Sequence, residues 1–291
     1  MDRFRITISY KLFPALVFCL LLCVVGCANK SALAPGHLRL TVINIGQGDS
    51  LLIQTEDAVL LVDAGTQHSG SQILKALRQN GVRRIDLAVL THPHEDHIGA
   101  LTDIGDKIPI GQVLDSGFPY ASPVRTKVLR WITKNKVPLK RARQGQKIRL
   151  GQTLEMQALW PRRGFVRGTA SDANNNSVVL RINHGSVHLL LTGDIGDGPE
   201  SALLASGFDL RSDFLKVGHQ GSRTSSSAAF LDRVRPKVAA ICVGRTNSYG
   251  HPHPETLQRL RSAGVRIYQT DKDGELVFES DGTRFWKQNS R

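Results

Sequence analysis

The chain has 291 residues, 41% hydrophobic and 22% charged, a composition that supports a packed core in one large domain or two small ones. Its formal net charge of +13 suits an anionic partner without saying which. Its four cysteines are Cys19, Cys23, Cys27 and Cys242, and three of them fall at the N-terminus, which leaves the folded part without an internal disulfide.

Arg3, Arg5 and Lys11 form a positively charged start, followed by an uncharged apolar run from Leu12 to Val25. That run is short for a membrane span and suits the central region of a signal peptide. Val24-Val25-Gly26-Cys27 resembles a bacterial lipobox, which implies cleavage after Gly26 and diacylation of Cys27. An uncleaved N-terminal anchor is the alternative, and both place the rest of the chain outside the cytoplasmic membrane. Cleavage removes three basic groups and one acid, so +13 falls by three and recovers one, to +11. Residues 1–26 are thus expected to be a signal peptide, 27–36 a small-residue tether, and 37–291 a single folded domain.

Leu38, Leu40 and Val42 alternate with polar residues and predict a half-buried strand. Ser50–Ile53 and Ala58–Val62 read as a hairpin around Gln54-Thr55-Glu56-Asp57. A helix carrying Ile73, Leu74 and Leu77 stops at Gly81, and Asp86–Leu90 is a buried strand running directly into Thr91-His92. Ser122-Pro123 has the cap-then-proline signature of a helix start, and Val124, Val128, Trp131 and Ile132 form one apolar stripe behind it. Strands are expected at Ser177–Ile182, Val187–Leu191, Phe214–Val217 and Val238–Val243, with a last helix opening at His253-Pro254 and stopping at Gly264. Such a succession predicts sheets with helices packed outside.

The strongest chemical signal is His92-Pro93-His94-Glu95-Asp96-His97, three histidines and a carboxylate on one loop after a buried strand. Imidazole suits zinc, and carboxylate also accepts harder ions such as manganese. His92 and His94 can serve one ion while Asp96 and His97 reach a second. Gly193-Asp194 and Gly218-His219 repeat a design of strand, glycine and ligand, and glycine allows close backbone approach. Two divalent cations, zinc or manganese, are therefore expected on His92, His94, Asp96, His97, Asp194 and His219.

From about His37 to Tyr268 the chain resembles the metallo-β-lactamase superfamily, through Asp63 after a strand, His-x-His-x-Asp-His, Gly-Asp and Gly-His in that order. Within it, Ile45–Ser50, Asn174–Ser177 and Lys216–Ser222 look like the hydrolase domain of ComEC-type DNA-uptake proteins. The resemblance implies an α/β fold, an αββα four-layer sandwich with the metals at one edge between two sheets. It implies that Asp194 bridges the ions and that Asp63 supports the ligands from behind, a role also expected of Asp49 and Ser222. Three departures stand out. Gln220 replaces the second histidine of the usual His-His-Gly-Ser. Only His184 and His188 lie where a further histidine ligand is common, and neither is expected to ligate; the Asn174–Ser177 segment, with Asn176 at the substrate, is expected to line that corner. No membrane channel is attached, which argues against DNA transport by this polypeptide alone.

Tyr249-Gly250-His251-Pro252-His253-Pro254 also fits the ComEC-type pattern. His251 is expected to touch substrate or donate a proton, and His253 to cap the following helix. Residues 116–154 hold ten Lys or Arg and no Asp or Glu, Arg162, Arg163 and Arg167 extend the stretch past Glu155, and aromatics from Phe118 to Phe165 are interleaved. Lys140, Arg141 and Arg143 are taken as representatives of a stripe that tracks a phosphate backbone while aromatics stack on bases; a solvated helix face with Trp131 in the core is the equal alternative. The catalytic residues are expected to be Asp96, Asp194 and His251, acting through a hydroxide shared by the ions. The favoured activity is a phosphodiesterase or nuclease on extracytoplasmic nucleic acid. Hydrolysis of another envelope phosphodiester or (thio)ester, and a non-catalytic DNA-binding lipoprotein, remain open alternatives.

Overall fold

The computed structural model describes residues 33–288. The expected signal peptide and the lipidation position Cys27 lie outside the described residues. Two sheets face each other. The first contains β1 (Leu38–Val42), β2 (Leu51–Gln54), β3 (Val59–Val62), β4 (Leu87–Leu90), β5 (Val113–Asp115) and β6 (Leu139–Arg141). The second contains β7 (Lys147–Leu150), β8 (Leu154–Trp160), β9 (Val179–His184), β10 (Val187–Leu191), β11 (Phe214–Lys216), β12 (Val238–Ile241) and β13 (Arg266–Gln269). The chain then returns to the first sheet with β14 (Leu276–Ser280) and β15 (Phe285–Lys287), giving the orders β15-β14-β1-β2-β3-β4-β5-β6 and β13-β12-β11-β10-β9-β8-β7.

Alternation along the strands explains the layering. Leu38, Leu40 and Val42 face the second sheet and pack with Leu180, Leu189, Phe214 and Phe278 in a central core. Leu52, Leu61 and Ala88 point the other way, onto α1 (Gly70–Gln79), α3 (Leu101–Gly105) and α4 (Pro123–Lys134), through Ile73, Leu77, Ile104, Val128 and Ile132. On the far side, Leu190 and Leu215 of the second sheet meet Leu203 of α5 (Asp197–Leu204), Phe230 of α6 (Ala228–Val234) and Leu260 of α7 (Pro254–Ser262). The result is helices, sheet, sheet, helices: the αββα sandwich.

Local rules hold where they were legible. The Ser122 hydroxyl accepts from the Arg125 amide at 3.1 Å, with Pro123 first in α4. The basic stretch is more mixed than a helix face: it spans α4 and then the edge strands β6 and β7. The end of the tether is docked, because the Gly36 carbonyl lies 3.0 Å from His184 Nε2 while Ser280 Oγ holds Nδ1 at 2.9 Å. Both nitrogens of His184 are thereby engaged far from the ligand loops. Among the described residues, no helix is long and apolar enough to cross a membrane.

Candidate metal centre and cleft

Every ligand loop leaves the same end of a strand. β4 delivers Thr91 and His92, and the short helix α2 (Glu95–Ile98) turns Asp96 and His97 back toward them. β10 ends at Leu191 and β11 at Lys216, each three residues before its ligand, Asp194 and His219. Parallel pairing of β3 with β4 and of β10 with β11 puts these ends side by side across the sandwich. Gly193 sits at φ +52, and a Cβ there would stand 2.8 Å from that of Ser177, so glycine alone fits the turn that presents Asp194.

Asp63 leaves β3 at φ +61, in a conformation aspartate tolerates better than most residues. Its Oδ1 accepts from the Thr91 amide at 2.8 Å; its Oδ2 accepts from the Thr91 hydroxyl and meets His97 Nδ1, each at 2.8 Å. This fixes the imidazole so that Nε2 faces the site, the arrangement by which a carboxylate commonly orients a metal-binding histidine. His97 Nε2 then lies 3.3 Å from Asp194 Oδ2 and 3.6 Å from Asp96 Oδ2, with hydrogen-bond geometry to neither.

The donor set fits cations. His92, His97 and Asp194 are all buried, with ligand atoms converging within 4.8 Å. His92 Nε2 and His94 Nδ1 aim at each other 3.1 Å apart, close to the separation of about 3.3 Å that two nitrogens have on one tetrahedral ion with bonds of ~2.0–2.1 Å. Asp194 Oδ1 is buried with no hydrogen-bond partner among the described residues, a costly state unless a cation completes it. Electrostatics agree. Burial and the neighbouring His97 hold the His92 imidazole well below its ordinary pKa, keeping it neutral as a ligand requires. Burial pulls His97 down too, yet Asp194, Asp96 and Asp63 together carry it well above. Carboxylates that crowd one imidazole in this way attract positive charge.

His219 completes the other wall. It and Gln220 adopt left-handed backbone, φ 48 and 52, between Gly218 and Gly221. Two such residues in succession cost about 1–3 kcal/mol each, and strain of this kind concentrates at functional sites. Asn174 Nδ2 is 3.2 Å from His219 Nε2, so Asn174 occupies the corner assigned to the Asn174–Ser177 segment. Asn176 does not reach substrate. It is 0% exposed, its amide donating to the Val166 and Asp172 carbonyls and accepting from the Val166 amide. Those bonds, local to its own loop, satisfy it completely.

Asp49 is buried and pairs with the buried Lys216 ammonium at 2.6 Å, while its backbone amide donates to the Asp96 carbonyl at 3.1 Å. Burial raises its carboxyl to about 6 against the pull of Lys216. Ser222 turns its hydroxyl to Thr224 rather than to a ligand, and supports His219 only through its amide, which donates to the His219 carbonyl at 2.8 Å. His253 stands at the start of α7 but does not cap it with its ring; Nδ1 accepts from the Arg223 amide at 3.1 Å. His188, the other histidine of the interval, is beside Arg181 and Asp213, away from the ligands.

Above the ligands opens a cleft of about 720 Å³ lined by His94, Asp96, Asn174, Asp194, His219 and His251. The ring of His251 lies 5.4 Å from that of His219 and stacks on Tyr249 at 5.7 Å. Burial, then His219 and His253, push its pKa down to about 4. Lys140, Arg141 and Arg143 are exposed and have no carboxylate partner among the described residues. The rest of the stripe is thinner than its charge count: Arg125 is buried on Asp115 at 2.6 Å, and Arg149 pairs with Glu155. Its aromatics are mostly committed. Phe118 and Trp160 are buried, Trp131 donates to Asp106 at 2.6 Å, and Arg141 covers Phe165 at 4.2 Å. The exposed rings near the ligands are Tyr120, 39% exposed and 5.1 Å from His94, and Tyr249, 65% exposed. Sequence reading missed Tyr249 as a contact surface, along with Gln47, Thr91 and Lys216; only their places inside or beside the shared motifs marked them.

Residues 43–245 match the metallo-beta-lactamase superfamily. This chain belongs to that superfamily. It is 33% identical over 86% of its length to a competence protein ComA of Neisseria gonorrhoeae, and 28% identical over 81% to ComE operon protein 3 of Bacillus subtilis. It spans about a third of the length of each of these relatives. Among solved structures it is similar to the metallo-beta-lactamase fold protein YhfI from Bacillus subtilis, with TM-score 0.54 and 14% identity over 84% of this chain and 100% of that one. It is likewise similar to Igni18, a metallo hydrolase from Ignicoccus hospitalis, with TM-score 0.55 and 15% identity over 82% and 98%. These two likenesses speak for the fold. The chain is thus a domain of that superfamily, with homologues among competence proteins.

Proposed function

We propose that this domain is a two-metal phosphodiesterase that cleaves nucleic acid outside the cytoplasmic membrane. The observation that carries the reading is the convergence of buried His92 and His97 on Asp194, which lines an open cleft and whose Oδ1 is unpartnered among the described residues. Two divalent ions, zinc or manganese, would be held by His92, His94, Asp96, His97, Asp194 and His219; bound there they activate water near neutral pH and offset charge growing on a phosphoryl oxygen. The chain's own residues do the rest. Asp194, whose Oδ2 lies 4.0 Å from His92 Nε2 and 3.3 Å from His97 Nε2, would be the carboxylate shared by both ions. Asp96 sits on the cleft side of His97 and steers the attacking group. His251, neutral at pH 7, offers one ring N–H to a substrate oxygen rather than a proton to the leaving group.

The nucleic-acid half of the proposal draws on the similarity to competence proteins and on exposed basic and aromatic side chains. Exposed Lys140, Arg141 and Arg143 supply cations for phosphates, and the exposed rings of Tyr120, beside His94, and Tyr249, stacked on His251, are suited to bases. Anchoring through a diacylated Cys27 belongs to the same proposal. A Cys27→Ala chain is expected to take up no labelled palmitate and to move to the soluble fraction; equal labelling of both chains refutes the anchor.

The deciding assay offers the purified chain a small nitrophenyl phosphodiester, single- and double-stranded DNA and a β-lactam, with and without added Zn²⁺ or Mn²⁺. Metal-dependent cleavage of the phosphodiester and of DNA is expected, with no lactam turnover. Cleavage of the small ester but not of DNA would move the assignment to another envelope phosphodiester. Full activity in metal-stripped protein would end the two-metal reading.

A further inference from the structure

Where the family motif carries a second histidine, this chain has Gln220, and the structure gives that glutamine a defined job. Gln220 is 2% exposed and held in left-handed backbone beside His219. Its Nε2 donates to Asp96 Oδ2 at 2.7 Å. Its Oε1 accepts from Gln47 Nε2, and Gln47 Oε1 accepts from the Gly244 amide at 3.1 Å. The polarity of this chain is set at both ends. A backbone N–H only donates, so Gln47 must turn its carbonyl to Gly244 and its amide nitrogen to Gln220. A carboxylate only accepts, so Gln220 must turn its nitrogen to Asp96. Neither amide can flip without breaking two bonds.

The backbone is built around the same contact. Gly48 has φ +109, and a Cβ on it would lie 2.4 Å from the Asp96 carbonyl oxygen; the Asp49 amide donates to that oxygen. Gly244 in turn packs with its Cβ direction 3.0 Å from the Gln47 backbone nitrogen. The loop at 46–49 therefore grips Asp96 twice, once by its backbone and once through the two glutamines. Asp96 needs the grip, because its side chain is 31% exposed while that of His97 is fully buried.

We propose that Gln220 is a positioning residue: by donating to Asp96 Oδ2, with Gln47 locking its orientation, it fixes the Asp96 carboxylate toward His97 Nε2 as a preformed metal ligand, and does not itself coordinate. This rests on the metal-centre reading above. A neutral amide donor does what a histidine N–H can do for a carboxylate, without adding a titrating group.

The test separates donor from ligand. Zn²⁺ is titrated calorimetrically into metal-stripped full-length chain in detergent for wild type, Gln220→Glu, Gln220→Ala, Gln47→Ala and the double alanine variant, with melting of each stripped protein as a fold check. Removal of the donor is expected to weaken one ion by about 10–100-fold in Gln220→Ala. Gln220→Glu, which keeps the size but meets Asp96 with a second carboxylate, should weaken it at least as much. Gln47→Ala should weaken it less, and the double variant no more than Gln220→Ala alone. Tighter binding by Gln220→Glu would show that position 220 ligates the ion and would overturn the proposal, as would wild-type affinities in both Gln220 variants. If these fail to fold, Gln47→Ala carries the test: unchanged affinity there refutes the lock. A wild type that binds one ion instead of two defeats the two-metal reading, while an affinity for that ion that depends on Gln220 still supports the positioning role.

Discussion

At the scale of single residues, the site is defined as much by groups that never touch substrate as by those that do. Asp63 is buried behind His97 and spends both oxygens on Thr91 and the His97 ring. Replacing it with Asn keeps the size but removes the charge and presents an N–H to one of these partners. Asp63→Asn is expected to lower metal affinity and phosphodiester turnover together by about 10–100-fold, with the far-ultraviolet dichroism unchanged. Turnover at the wild-type level would show that His97 is oriented without it. Asp194→Asn should behave differently, losing bound metal outright, since it removes the carboxylate whose Oδ1 has no other partner; elemental analysis distinguishes the two variants.

At the scale of elements, the loop between β11 and α6 is held from below by α5. Glu200 is buried and accepts from the Ser226 and Ser227 amides, at the turn where α6 begins and close to the cleft. Burial lifts its carboxyl to about 7, the two amides pulling the other way. Because the folded value lies above the unfolded one of 4.5, the native state holds this proton more tightly. Its contribution is full below about 4.5 and is lost as pH rises through about 7, each unit between being worth about 1.4 kcal/mol. Thermal unfolding of wild type should therefore weaken from pH 5 to pH 8 more steeply than that of Glu200→Gln, which cannot titrate. Parallel curves for the two proteins would contradict the shift.

At the scale of the whole molecule, charge and chemistry come from different parts of the sandwich. Lys140, Arg141 and Arg143 follow the edge of the first sheet, while the ligands come from strand ends of both. Changing all three to Ala should reduce DNA affinity and flatten its salt dependence by roughly two to three units of slope, about 0.7–0.9 per lost phosphate contact. Turnover of a small phosphodiester should stay within about twofold, since rim cations act mainly through long-range attraction. DNA cleavage equal to wild type at every salt concentration would remove nucleic acid as the substrate and leave the metal centre standing.

The sequence by itself marked the candidate ligands and determined the layer pattern. Three histidines and an aspartate within six residues have little use except around cations, and strands with apolar residues on one or both faces need partners on those faces. Both signals are local, written in spacing a few residues long. What it could not decide were matters of direction and exposure. Nothing local distinguishes Asn174, which points at His219, from Asn176, which is consumed by its own loop. Nothing local shows that Phe118 and Trp160 are buried while Tyr249 is exposed, or that ten basic residues include one sealed onto Asp115. Gln220 read as a lost histidine until the fold set Gln47 and Asp96 on either side of it, from positions 173 and 124 residues away in sequence. Contacts across such separations depend on how two sheets close over one core, and only the tertiary structure decides that.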